Sequence, residues 1–262
     1  MGRRGVSVED ETRWVFNRLA EDYHARPGYP EALVRRLMEL AVPRGQVADL
    51  GAGTGHLALP LAHAGLNVAA VEPARAMLQK LEAEAPPNVR CIHAAAEHTG
   101  LEPKSFDLVL LADALHWVDP ELTGKEAARL LRPGGACAVV EAHLADSPFL
   151  RELGLLLARY NPKARPAKAD AARQLLSLAT NGGEVARETF VHEVALEGPA
   201  LEAVLRSLSY VGPALGRGAL GELLAAVHRL AAEHGGAKWR RELLLTWAFA
   251  VTPGEGNGRH PV

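Results

Sequence analysis

The sequence predicts an α/β fold: a doubly wound, seven-stranded, mostly parallel sheet with helices on both faces. Three observations carry that prediction. The apolar run Val47-Ala48-Asp49-Leu50 ends in the turn Gly51-Ala52-Gly53-Thr54-Gly55, and His56-Leu57-Ala58-Leu59 then opens a helical pattern. Strand, tight glycine turn and helix form the first unit of a nucleotide-binding sheet. Apolar strand-like runs alternate with helical periodicity as far as His143, as a parallel sheet with crossover helices requires. Glu72 closes the second strand about twenty residues beyond the first glycine, where an acid can accept both ribose hydroxyl protons of a bound nucleoside.

Composition narrows the functional classes. With 262 residues, 48% hydrophobic and 23% charged, the chain reads as one globular domain spanning 1–262. The net charge of −2 from 29 Lys+Arg and 31 Asp+Glu argues against nucleic acid or a membrane surface as the main partner. The acidic, polar start carries no signal-peptide pattern, and no apolar stretch is long enough to cross a bilayer, so the expected location is the cytoplasm. Cys91 and Cys137 each lie in a strand-like run and read as buried, reduced thiols, with no metal site expected. Oligomeric state is not readable.

In chain order, residues 1–45 read as a charged, irregular start followed by two lid helices, one from Trp14 to about Leu19 and one after Pro30 with Leu33, Leu37 and Leu40 on one face. The core, 46–143, holds strand one, strand two at Asn67 to Val71, a helix from Ala74 to Ala85 and strand three at Val89 to His93. Strand four at Asp107 to Ala112, a helix from Lys125 to Leu131 and strand five at Ala136 to Val140 complete it. Residues 144–187 read as an inserted helical cap, with helices from Phe149 to Tyr160 and up to about Leu178 around a Lys/Arg/Ala/Pro stretch at Asn161 to Lys168. Residues 188–253 supply a strand at Glu188 to Leu196, helices at Leu201 to Tyr210 and Leu220 to Glu233, and a closing strand at Glu242 to Val251. Residues 254–262 read as a flexible Gly-rich tail.

Two details of the turn separate it from a dinucleotide fingerprint: its glycines fall at every second position, and Asp49 stands two residues before the first of them. Acid, apolar residue, then G-x-G-x-G resembles the first motif of the class I S-adenosylmethionine (SAM)-dependent methyltransferases. The resemblance continues through Ala95-Ala96-Glu97 and Phe106-Asp107-Leu108-Val109, through Ala112-Asp113-Ala114-Leu115-His116-Trp117, and through Arg132-Pro133-Gly134-Gly135, so that it covers about residues 14–143. The His-Trp strand end and the Tyr23-to-Pro30 entry segment are similar to the small-molecule sub-group that includes trans-aconitate-like methyltransferases. The sequence departs from relatives at Ala95, where many carry Asp or Thr, and at Asp113, where that sub-group has Gln.

The resemblance implies a Rossmann-like methyltransferase that moves a methyl group from SAM to an O-, N- or C-nucleophile of a small molecule, possibly a carboxylate, leaving S-adenosyl-L-homocysteine. Asp49 and the turn of Gly51, Ala52, Gly53 and Gly55 would hold the amino-acid end of SAM, Glu72 its ribose, and Ala96 and Glu97 its adenine with packing from Met77; Pro73 and Ala112 are further cofactor-binding candidates. Met77 reads equally as helix–sheet core. His116 is the candidate general base, or a residue that packs to shape the pocket. Tyr23, Arg26, Trp117 and His143 are the candidate acceptor-binding residues. A SAM-binding regulatory module without turnover and a nicotinamide-dependent oxidoreductase are the competing readings.

Overall fold

The computed structural model describes residues 8–161 and 170–251, with side chains from Val15 onward. The start through residue 7, most of the stretch from Asn161 to Lys168 and the tail at 254–262 lie outside the described residues. Seven strands form one sheet in the order β3-β2-β1-β4-β5-β7-β6. They are β1 (Gln46–Leu50), β2 (Asn67–Val71), β3 (Val89–Ile92), β4 (Phe106–Ala112), β5 (Leu131–Leu144), β6 (Val185–Leu196) and β7 (Ala237–Phe249). Strands β1 to β5 pair in parallel, and β7 runs antiparallel to both β5 and β6. Burial on both faces explains why β4 is apolar nearly throughout, with six of its seven residues buried.

Described helices in chain order are α1 (Val8–Tyr23), α2 (Glu31–Leu40), α3 (Ala58–His63), α4 (Arg75–Glu84), α5 (Pro120–Leu130), α6 (Pro148–Tyr160), α7 (Ala171–Ala179), α8 (Gly198–Ser207) and α9 (Arg217–Glu233). Helix α1 therefore begins at Val8, inside the segment read as irregular. Helix α2 is no lid: Leu33, Val34, Leu37 and Leu40 bury against α3 and one face of the sheet. A stripe of four apolar residues cannot stay over an open cleft while sheet surface beside it lacks cover. On the other face, α5 contributes Ala127 and Leu130.

The cap expected over 144–187 is divided between two places. Helix α7 buries Ala171, Leu175 and Leu176 on the sheet face beside α5. Helix α6 joins α8 and α9 in a separate apolar cluster with Leu196 of β6 and Trp239 of β7. That cluster exists because β5, β6 and β7 run to 14, 12 and 13 residues against five in β1 and β2. The antiparallel strands overhang the carboxyl ends of the parallel ones, and their apolar overhang needs its own helical cover. The Arg132-Pro133-Gly134-Gly135 segment, which the sequence leaves between the helix ending at Leu131 and strand five, lies within the start of β5. Cys137 is fully buried in β5 with its thiol pushed up to about 12 by desolvation, whereas Cys91 in β3 is only half-buried.

Candidate active site

Three strand ends build the site. Gly51, Glu72 and Asp113 are each the first residue beyond β1, β2 and β4, so they come together at the carboxyl edge where the sheet's strand order reverses. The glycine turn is tied to its neighbour by Gly51 N–H and Ala52 N–H, which both donate to the Val71 carbonyl at 2.8 and 3.0 Å. Glu72, buried at 6% exposure, accepts Gly53 N–H on Oε2 at 2.9 Å and Ala74 N–H on Oε1 at 2.7 Å. Burial raises its pKa while those two hydrogen bonds oppose the rise.

A cavity of ≈ 180 Å³ opens at this edge. Of the residues singled out from the sequence, Tyr23, Gly51, Gly53, Glu72, Pro73, Met77, Ala96, Glu97, Ala112 and Trp117 line it. Phe16, Ala74, Ala95, Asp113, Ala114 and Val118 complete the wall. Met77 lines the cavity and is also packed with Leu19 and Ala20 of α1. Helix α1 borders the cavity: Phe16, on its wall, meets Trp117 edge-on, with ring centroids 5.0 Å apart. The Ala96 segment is braced from behind by Glu126 of α5, which accepts Thr99 N–H at 2.9 Å and Thr99 Oγ1–H at 2.6 Å. Burial alone would push the Glu126 pKa up, but hydrogen bonds from Arg129 and Thr99 hold it at about 2.

Other expected residues stand elsewhere. Asp49 and Ala52 lie behind the turn, and Gly55 packs against Leu81 and Leu59. Asp49 is buried beneath the start of α3, where the Ala58 backbone N–H favours its charged form. Arg26 commits its fork to the protein: Nε donates to Ser207 Oγ at 2.9 Å, Nη2 to the Ser207 carbonyl at 2.8 Å and Nη1 to Tyr23 Oη at 3.4 Å. His116 is exposed on a single 3₁₀ turn, with its ring against Trp117 and outside the cavity wall. Desolvation on its inner side lowers its pKa, with Asp113 opposing and Arg26 assisting. His143 is exposed on the overhang of β5, opposite Glu242 of β7.

Sequence reasoning did not assign a role to two polar ties at this edge. Tyr29 Oη donates to Asp113 Oδ2 at 2.9 Å, and burial together with the Asp113 charge keeps the phenol pKa well above its usual value, so it remains a donor. Arg241 of β7, 8% exposed, donates Nη2 to the Pro27 carbonyl at 2.8 Å and to that of Gly28. The segment between α1 and α2 is thereby held at the mouth from two sides.

Asp49 sets a pH dependence. Desolvation first, then the Glu72 charge, raise its pKa from 3.8 to about 7, against the opposing Ala58 hydrogen bond. The folded state thus holds a proton that the unfolded chain releases near pH 4, so stability falls as pH rises from about 4 to about 7 and is level above that. Asp49→Asn should remove this slope, amounting to a few kcal/mol of difference across that window. Urea midpoints for both proteins between pH 4 and 8 measure it; parallel curves would refute the assignment.

Residues 48–139 match the family model described as a methyltransferase domain. An uncharacterised methyltransferase of Mycobacterium tuberculosis is 42% identical over 135 residues, covering 51% of this chain and 54% of that protein. A Saccharomyces cerevisiae protein provisionally named an S-adenosylmethionine-dependent methyltransferase is 30% identical over 135 residues, 48% of this chain and 46% of its own. The matches thus span about half the length of these relatives. Among solved structures, a protein of Anaeromyxobacter dehalogenans provisionally named a type II methyltransferase superposes with a TM-score of 0.62 at 24% identity, over 86% of this chain and 98% of that one.

Proposed function

We infer that this chain, whose residues 48–139 match the methyltransferase-domain family model, is a class I SAM-dependent methyltransferase that transfers a methyl group from SAM to a small molecule. The observation that carries the reading is Glu72, a buried carboxylate on the cavity wall that also holds the Gly53 amide of the turn. Each of its oxygens keeps lone-pair capacity beyond the one backbone hydrogen bond it accepts, so it can also take the ribose hydroxyls. A side chain added at Gly53 would meet only Tyr23 Cε1, at 3.6 Å, which is open space for the amino-acid end of the ligand. Met77 and Ala96 provide an apolar slot for the adenine.

When bound, SAM supplies a methyl group on a positively charged sulfur, an electrophile that needs alignment and exclusion of water more than activation. Phe16 and Trp117 close the mouth over that centre, and the ties of Tyr29, Arg26 and Arg241 keep the lid segment in register with it. His116 is not given the role of base, because it stands outside the cavity wall. No helix among the described residues is long and apolar enough to cross a membrane; a cytoplasmic location is part of the proposal.

Titration calorimetry with S-adenosylhomocysteine, followed by incubation with methyl-labelled SAM and a cell extract, tests the reading. Micromolar binding and label in the small-molecule fraction are expected. Absence of binding would overturn the site, and binding with no transfer would leave a regulatory module instead of an enzyme.

A further inference from the structure

Three charged side chains line the cavity, Glu72, Glu97 and Asp113, and all three are acidic. Two of them are already placed: Glu72 holds Gly53 and Ala74, and Glu97 Oε1 accepts Asp119 N–H at 2.9 Å. Asp113, whose carboxylate also accepts two hydrogen bonds, stands at the end of β4 beside the turn. A Cβ built on Gly51 would lie 2.7 Å from that of Ala114, so the Asp113 segment abuts the turn directly. Its backbone is left-handed, φ +51°, a conformation that disfavours a side-chain-bearing residue and persists where surroundings enforce it. Three hydrogen bonds do so: Asp113 N–H to the Val140 carbonyl at 2.9 Å, Ala142 N–H to Oδ1 at 2.8 Å and Tyr29 Oη–H to Oδ2 at 2.9 Å.

A carboxylate held this way keeps one further acceptor site on each oxygen and offers no donor. It repels an anionic acceptor and attracts a hydrogen-bearing one. Neither Arg26 nor Arg241 lines the cavity wall, although the Arg241 charge reaches Asp113 from behind it. All three nitrogens of the Arg26 guanidinium donate within the protein, and Arg241 holds the carbonyls of Pro27 and Gly28.

We propose that the acceptor is a protic nucleophile, an amine or a hydroxyl and not a carboxylate, whose hydrogen is received by Asp113, with Tyr29 as the positioning residue for that carboxylate. The inference rests on the methyltransferase reading above. The nucleophile's lone pair forms the bond to the methyl carbon while the carbon–sulfur pair returns to sulfur, leaving a neutral thioether. The proton on the nucleophile passes to Asp113, and the resulting carboxylic acid releases it to water.

The chemistry of the transferred label decides the point. With wild-type protein and methyl-labelled SAM in a cell extract, the labelled small molecule should be stable to mild base. Retention on a cation exchanger then marks a methylated amine, release of the label as methyl iodide by hydriodic acid marks a methyl ether, and base-stable label that does neither is carbon-bound and would overturn the proposal. Label released by mild base as methanol is a methyl ester and would overturn the proposal. On the acceptor so found, Asp113→Asn should lower kcat at least a hundredfold with S-adenosylhomocysteine affinity within twofold of wild type. Asn keeps an oxygen for Ala142 N–H, and thermal unfolding checks the fold. Tyr29→Phe should raise the acceptor KM about tenfold with a smaller effect on kcat. Full kcat in Asp113→Asn would also overturn the assignment, whereas failure of wild-type protein to bind S-adenosylhomocysteine would instead remove the parent reading.

Discussion

Replacing Gly53 with valine is expected to weaken S-adenosylhomocysteine binding at least a hundredfold and to leave a cooperatively folded protein. A hundredfold corresponds to about 2.7 kcal/mol. Gly53 sits at φ +59°, and the space beside it is the cavity itself, with Tyr23 Cε1 at 3.6 Å from an added Cβ as the nearest neighbour. The valine methyls would fill the volume assigned to the amino-acid end of the ligand. They would also strain the amide that Glu72 holds at 2.9 Å. The left-handed backbone costs a branched residue roughly 1–2 kcal/mol, which a domain of this size can absorb. Calorimetry and thermal unfolding read the two effects separately; undiminished affinity would sink the assignment of this turn to the cofactor.

The same substitution two residues later should do the opposite. Gly55 is at φ +93°, and a Cβ there would stand 2.4 Å from Leu81 Cδ1 and 3.0 Å from Leu59 Cγ. Leu81 is fully buried on α4, so the collision falls where three elements close on one another. Overpacking plus backbone strain predicts a loss of about 4 kcal/mol or more for Gly55→Val, enough to leave much of the protein unfolded or insoluble. Urea unfolding of whatever soluble protein remains measures it. A variant of wild-type stability would show that Gly55 is not the packing glycine of the motif. Together the two variants split a five-residue motif into a part that faces ligand and a part that faces core.

That division was not legible in the string Gly51-Ala52-Gly53-Thr54-Gly55, where the three glycines look equivalent. The turn itself was legible, because a glycine run between a strand pattern and a helix pattern is a local signal. Glu72 was legible too, since its distance from the turn is set by one helix and one strand of ordinary length. The helical cover was legible as helices but not as placement: α7 and α6 read alike as apolar-faced segments, and only the competition for sheet surface sent one beneath the sheet and the other to the overhang. His116 and Arg26 were attractive by residue type. His116 does not line the cavity, and the Arg26 guanidinium is spent on Ser207, 181 positions away in the chain.

From sequence alone came the doubly wound sheet, the seven strands, the glycine turn and the acid at the end of the second strand, each resting on periodicity and spacing within some thirty residues. Tertiary structure decided what no local pattern carries: that Asp49 faces inward to Ala58, that Tyr29 meets Asp113 across 84 positions of chain, and that Arg241 crosses 214 positions to hold Pro27. The physical reason is that a buried polar group must find a partner wherever the fold brings one. The opening turn therefore lines one cavity together with Glu72 and Asp113, the cavity to which the proposed function assigns the cofactor and the acceptor.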